Sequence, residues 1–292
     1  MTVTHPGRTW SRLRSGAVAV AFVLTLGVLA PAVAGADPSS TPSAAPPVAA
    51  VETTTQTCAG YTITAVARPD ALSADRPAAP PPSLTVTAPD GSIVVRWQGR
   101  LEHDESAHSL DCRDVDADGR PELLYSEDSG GMHCCSTFVL LRLETPATEL
   151  LRVNLLDAWS FVPSQLDASP ALELVAADLR LEYMGDLPYI VTSPFPRIFA
   201  FDGERYVDAT RSYPASLRAD RKKALHALAA CAVDSPDGDA VDCQKAVGLR
   251  IVALDILLGT GATGISKLPL DAATRQWLQA IRAEVARALA TP

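Results

Sequence analysis

Asp114-Val115-Asp116-Ala117-Asp118-Gly119-Arg120-Pro121-Glu122, followed at once by the apolar Leu123-Leu124-Tyr125, is the stretch from which the rest of the chain can be read. Calcium takes six to eight hard oxygen ligands, and carboxylates on alternate residues of a tight turn point at one centre. Asp114, Asp116 and Asp118 fill the first, third and fifth positions of such a loop, and Gly119 supplies the sharp bend at the sixth. The backbone carbonyl of Arg120 falls at the seventh position and Glu122 at the ninth. Pro121 followed by Leu-Leu-Tyr starts a strand, so the expectation is a cation-holding turn between two strands of a sheet. A solvated Asp/Gly turn without an ion is the plain alternative, and three aspartates in register favour the ion.

Tyr125 stands at position twelve, so the bidentate Glu that closes an EF-hand is missing, and a strand replaces the exit helix. Asp-x-Asp-x-Asp-Gly-x-Pro-Glu-Leu entering a strand resembles the calcium turns of FG-GAP and VCBS-type repeats. Gly130-Gly131-x-His133-Cys134-Cys135 and Phe201-Asp202-Gly203-x-x-Tyr206-Val207 extend the resemblance to a group of exported bacterial proteins of that kind, over roughly Cys58 to Pro214. The resemblance implies a structural calcium ion held by Asp114, Asp116, Asp118, Arg120 and Glu122. It also implies a role in adhesion or carbohydrate association, with no assigned reaction.

At the N-terminus, Arg8, Arg12 and Arg14 precede an apolar run from Ala17 to Ala30. Ala32-Val33-Ala34 and Ala34-Gly35-Ala36 then offer small residues for cleavage, which is the layout of a secretory signal peptide over residues 1–36. No later stretch approaches the roughly 18 apolar residues of a membrane span. Residues 37–56 are Pro, Ser, Thr and Ala with almost no large apolar side chain, and read as a disordered linker. The whole chain carries a net charge of −9, and residues 1–36 contain three arginines and no acid, so the exported part is more acidic still. That balance excludes nucleic acid as a partner and leaves a protein or a carbohydrate.

Six cysteines in an exported chain read as disulfides. Cys231 and Cys243 flank a polar loop between two helical patterns and are expected to pair. Cys58, Cys112, Cys134 and Cys135 admit three pairings. The reading favours Cys112 with one of Cys134 and Cys135 and Cys58 with the other, and leaves a strained vicinal Cys134–Cys135 bridge as the third.

Periodicity divides the chain into strands first and helices later. Leu84–Thr87 and Ile93–Trp97 flank a Pro89-Asp90-Gly91 turn, Leu123–Ser126 and Thr137–Leu143 continue the sheet, and Pro196–Val207 forms a hairpin about Asp202-Gly203. Residues 165–174 repeat the register of residues 114–123, with Asp167 opposite Asp116 and Glu173 opposite Glu122. Gln165, Ser169 and Pro170 replace two aspartates and the glycine, so this copy should hold no ion. Beyond Leu217 the period becomes helical, Cys243, Val247, Ile251, Leu254 and Leu258 share a face, and Asp271 can cap a last helix. The expected fold class is α+β. A β-rich domain over 57–211, a partial propeller-like or sandwich sheet, carries a helical region over 212–292.

Three catalytic look-alikes fail on context. Asp128-Ser129-Gly130-Gly131 with His108 and Asp111 imitates a serine protease, but the groups crowd into 22 residues. Gly259-Thr260-Gly261-Ala262-Thr263-Gly264 follows a helix rather than a strand, so it ends that helix instead of binding a dinucleotide. His133-Cys134-Cys135 could suggest zinc, but an oxidising compartment would consume the thiols. The favoured reading is a non-enzymatic binding or interaction module. The alternative is an exported hydrolase using Asp114, Asp116 or Glu122 with His103, His108 or His133.

Overall fold

The computed structural model describes residues 52–67, 81–99, 106–131, 134–156, 161–185, 187–188, 191–231 and 239–290. The leader, most of the linker, His103 and His133 fall outside these residues. Among the described residues, twelve strands form three antiparallel sheets of four, each a meander in chain order. The first holds β1 (Glu52–Cys58), β2 (Tyr61–Ala67), β3 (Ser83–Thr87) and β4 (Ile93–Gln98). The second holds β5 (Ser106–Arg113), β6 (Glu122–Gly131), β7 (Cys134–Arg142) and β8 (Thr148–Asn154). The third holds β9 (Phe161–Ser164), β10 (Glu173–Asp178), β11 (Phe195–Phe201) and β12 (Tyr206–Asp208). Helices α1 (Pro214–Cys231), α2 (Asp239–Leu257) and α3 (Ala272–Ala288) follow, so the α+β class with C-terminal helices holds. One boundary moves: β1 begins at Glu52, inside the stretch read as linker, because its polar residues pair with β2 along their whole length.

Strand alternation explains the layering. Successive side chains of a strand point to opposite faces. In β6, Leu123 and Tyr125 join Val139 and Leu141 against Ile63, Leu84 and Val86 of the first sheet. Leu124, with Phe138 and Leu140, faces Phe161, Leu174 and Phe199 of the third. The second sheet is therefore buried on both sides, which is why its central strands read as continuous apolar runs rather than as alternation. Each fully buried Leu or Ile contributes roughly 1.5–3 kcal/mol. Beyond the third sheet, Phe195 shares a core with Leu217 and Leu228 of α1, Leu249 and Leu254 of α2, and Leu278 and Val285 of α3. Asp271 caps α3 as expected, accepting a 2.8 Å hydrogen bond from the Thr274 amide. Gly248 lets α2 and α3 approach, since a Cβ there would lie 2.8 Å from Leu278 Cδ1.

Cys231 pairs with Cys243, as the spacing predicts. The favoured pairing of the first four cysteines is corrected, because Cys58 joins Cys112 across a Cα separation of 6.0 Å. The reason is tertiary: β2 and β3 pack against β5, so Cys58, at the end of β1, reaches the end of β5. Cys135 is also disulfide-bonded, and the side chain of Cys134 lies outside the described residues.

Candidate metal centre

The acidic turn links β5 to β6 at the start of the buried β6 strand. Gly119 has φ +87°, a conformation glycine adopts without steric cost, and Ala117 also has positive φ, at +63°. Each aspartate accepts a backbone amide within the turn. Asp114 Oδ2 takes Gly119 N at 3.0 Å, Asp116 Oδ1 takes Asp118 N at 3.0 Å, and Asp118 Oδ1 takes Arg120 N at 2.8 Å. Glu122 reaches back under the turn, and its Oε2 accepts Val115 N at 2.8 Å and Asp116 N at 3.4 Å. These bonds hold the acids on one side of the chain.

Among the described residues, ligand atoms of Asp114, Asp116 and Glu122 lie within 4.8 Å of one another. Glu122 is 1 % exposed, and its Oε1 is buried with no hydrogen-bond donor among the described residues. A buried carboxylate oxygen left in that state is costly. In the cation-free turn, burial pushes the Glu122 carboxyl up to about 7, and the charges of Asp116 and Asp118 push the same way. Hydrogen bonding from the Arg120 side chain instead holds the Asp118 carboxyl below its ordinary value. Asp118 lies outside that group, with Oδ2 at 2.6 Å from Arg120 Nη2 and 3.0 Å from Arg142 Nε. The Arg120 side chain also reaches Glu144 at 2.6 Å.

Two side chains that sequence reading did not assign to the site complete it. Arg142 stands directly opposite Glu122 in the β6–β7 ladder, contacts Asp116 through Nη2, and lies 3.7 Å from Glu122 Oε1 through Nε. The cross-strand position of Arg142 in the Leu123–Leu143 hairpin could have signalled it. Tyr206, from β12, shares its hydroxyl proton between the carbonyls of Val115 at 2.9 Å and Leu172 at 3.0 Å. Burial raises that phenol above its ordinary pKa. Leu172 N also donates to Val115 O at 2.8 Å, so the two turns are stitched together. Tyr206→Phe should cost about 1–2 kcal/mol in urea unfolding, and a loss under about 0.3 kcal/mol would show that the stitch is redundant.

The 165–174 turn repeats this geometry. Glu173 Oε2 accepts Leu166 N at 2.7 Å, as Glu122 accepts Val115 N, and Asp167 Oδ1 accepts Ser169 N at 2.6 Å, as Asp116 accepts Asp118 N. Its centre is filled from inside the protein. Tyr213, just before α1, donates to Glu173 Oε1 at 2.9 Å and lies 3.3 Å from Asp167 Oδ2, while Gln165 Nε2 bonds the Asp167 and Ser169 carbonyls.

No family model, curated protein or solved structure matches the chain. Asp111 pairs with Arg113 at 2.7 Å, the His108 side chain is outside the described residues, and Ser129 Oγ accepts the Cys135 amide at 2.6 Å. A cleft of about 230 Å³ between the third sheet and the helix ends is lined by Asp178, Arg180, Arg197, Asp208 and Arg211 rather than by the acidic turn. Its acids are ion-paired within the third sheet and the turn after β10, Asp178 to Arg180 at 2.7 Å and Asp208 to Arg197 at 2.8 Å, while Arg180 and Arg211 donate to carbonyls at the ends of α3 and α2.

Proposed function

We propose that the chain is an exported binding or interaction module, without catalytic activity of its own, in which the Asp114–Glu122 turn binds a structural calcium ion. The reading rests on the convergence of Asp114, Asp116 and Glu122 together with the unsatisfied, buried Glu122 Oε1. All the donors are hard oxygens, which suit calcium over a soft metal. Such an ion would stiffen the edge where the second and third sheets meet at Val115, Leu172 and Tyr206. Export is supported by the Arg-flanked apolar leader and by the Cys58–Cys112 and Cys231–Cys243 bridges, since disulfides persist in oxidising compartments. Among the described residues no helix is long and apolar enough to cross a membrane. The acidic net charge suits a protein or carbohydrate partner of the kind that FG-GAP and VCBS-type proteins engage. The hydrolase alternative is disfavoured because its carboxylates crowd one turn, whereas glycosidase pairs oppose each other across roughly 5–9.5 Å.

Thermal unfolding in calcium and in chelator tests the reading. Extracellular modules bind calcium with dissociation constants of about 0.1–1 mM, and ten times that concentration stabilises the folded state by about 1.4 kcal/mol. For a chain of this size that is a rise of a few degrees in Tm. Asp114→Asn should abolish the rise and leave the chelator Tm within a degree or so, because Asp114 is exposed and Asn keeps an oxygen for Gly119 N. A wild type that melts identically in both conditions and retains no metal by mass spectrometry would sink the proposal.

A further inference from the structure

The carboxylate oxygens of Asp116, Asp118 and Glu122 fall into two sets. Backbone amides take Asp116 Oδ1, Asp118 Oδ1 and Glu122 Oε2. The partners of those oxygens, Asp116 Oδ2, Asp118 Oδ2 and Glu122 Oε1, all face the guanidinium of Arg142, and Asp118 Oδ2 is also held by Arg120. Arg142 therefore occupies the side of the turn from which a cation would be held by Asp116 and Glu122. Its side chain is 14 % exposed, against 0 % for those of both acids, so the three are shielded from bulk water together.

The second turn shows the same requirement met differently. Asp167 and Glu173 hold the positions of Asp116 and Glu122, and the register that sets Leu174 beside Phe199 brings Ala200 beside Glu173, where the first turn has Arg142. With no arginine there, the Tyr213 hydroxyl enters between the two acids. In each copy an internal donor fills the space between the paired carboxylates. Tyr213 does so as a neutral group in a turn that has lost its other acids. Arg142 does so as a positive charge in a turn that has kept them.

We infer that Arg142 is a built-in competitor of the cation: it neutralises Asp116 and Glu122 when the turn is empty, and a divalent ion must displace it to bind. The inference rests on the cation reading proposed above and adds the regulation of that site. Like charges repel, and a divalent ion beside a guanidinium feels twice the repulsion of a monovalent one, so both cannot share these oxygens. Arg142 thereby lowers the affinity of the turn and keeps the apo domain folded. The exported chain would then respond to calcium only at high extracellular concentrations.

Calorimetric titration of the full chain with calcium chloride tests this. Arg142→Gln should bind calcium at least tenfold more tightly than wild type, melt lower in chelator, and show a larger rise in Tm on adding calcium. Arg142→Lys, which keeps a charge but not the fork, should fall between them. A second readout uses the native chain labelled with nitrogen-15, with the Arg142 Nε–Hε signal assigned by its loss in Arg142→Lys. Calcium should accelerate exchange of that proton with water by tenfold or more as the guanidinium leaves the acids. If wild type binds calcium while Arg142→Gln binds it no better, or the Nε–Hε signal is unchanged at saturation, competition is overturned and the cation reading stands. If neither protein binds calcium, the cation reading falls and this inference with it.

Discussion

Replacing Cys58 and Cys112 together by alanine should lower the free energy of unfolding by about 4 kcal/mol, the larger of the two strongest effects expected for this protein. The bridge closes a loop of 54 residues, and restriction of the unfolded chain grows with the logarithm of loop length, from about 3 kcal/mol at 15 residues to about 4.7 at 100. It also ties the end of β1 to β5, and so the first sheet to the second. By the same argument, removing Cys231–Cys243, whose separation is 12, should cost about 3 kcal/mol. Urea midpoints of the two alanine pairs, measured in chelator so that cation binding does not intrude, check both values and their order. A loss under about 1 kcal/mol for the longer loop would mean that the Ile63, Leu84 and Leu123 contact holds the sheets together without help from the crosslink.

Asp116→Ala should cost about 3 kcal/mol even without a cation. The substitution strips the largely shielded Arg142 of its closest partner, the buried Asp116, and breaking one side of such a pair leaves an uncompensated charge. It also frees the Asp118 amide. Asp167→Ala, at the matching position of the second turn, should cost under about 1 kcal/mol because that residue is exposed. Adding Arg142→Met to Asp116→Ala should recover part of the loss, since an apolar pair of similar volume can replace an ion pair at little cost. A double variant as unstable as the sum of its singles would show that the two side chains are not energetically coupled.

These expectations also separate what local chemistry predicts from what it leaves open. The hairpin about Pro89-Asp90-Gly91, the Asp271 cap and the Cys231–Cys243 bridge depend on residues close in sequence. Their geometry follows from turn, cap and loop rules, and each was legible. The positions of Asp114, Asp116 and Glu122 were legible for the same reason, because the turn's own amides set them.

Strand β1 was not legible. It is a run of exposed threonines with no apolar face, and only its ladder with β2 makes it a strand. Strand β5 was hidden similarly, with a register shift between Ser109 and Asp111 breaking its alternation.

By itself, then, the sequence determined the order of strands before helices, the acidic turn with its alternate carboxylates, and the short disulfide. Those features are written in neighbouring residues, where propensity, periodicity and spacing act directly. The stacking of the three meanders, the Cys58–Cys112 crosslink, the Tyr206 stitch and the guanidinium seated among the acids were decided by the tertiary structure. Each joins groups that share a site only after the faces of β6 have been buried on both sides, and no local pattern encodes which distant charge or hydroxyl that burial brings in.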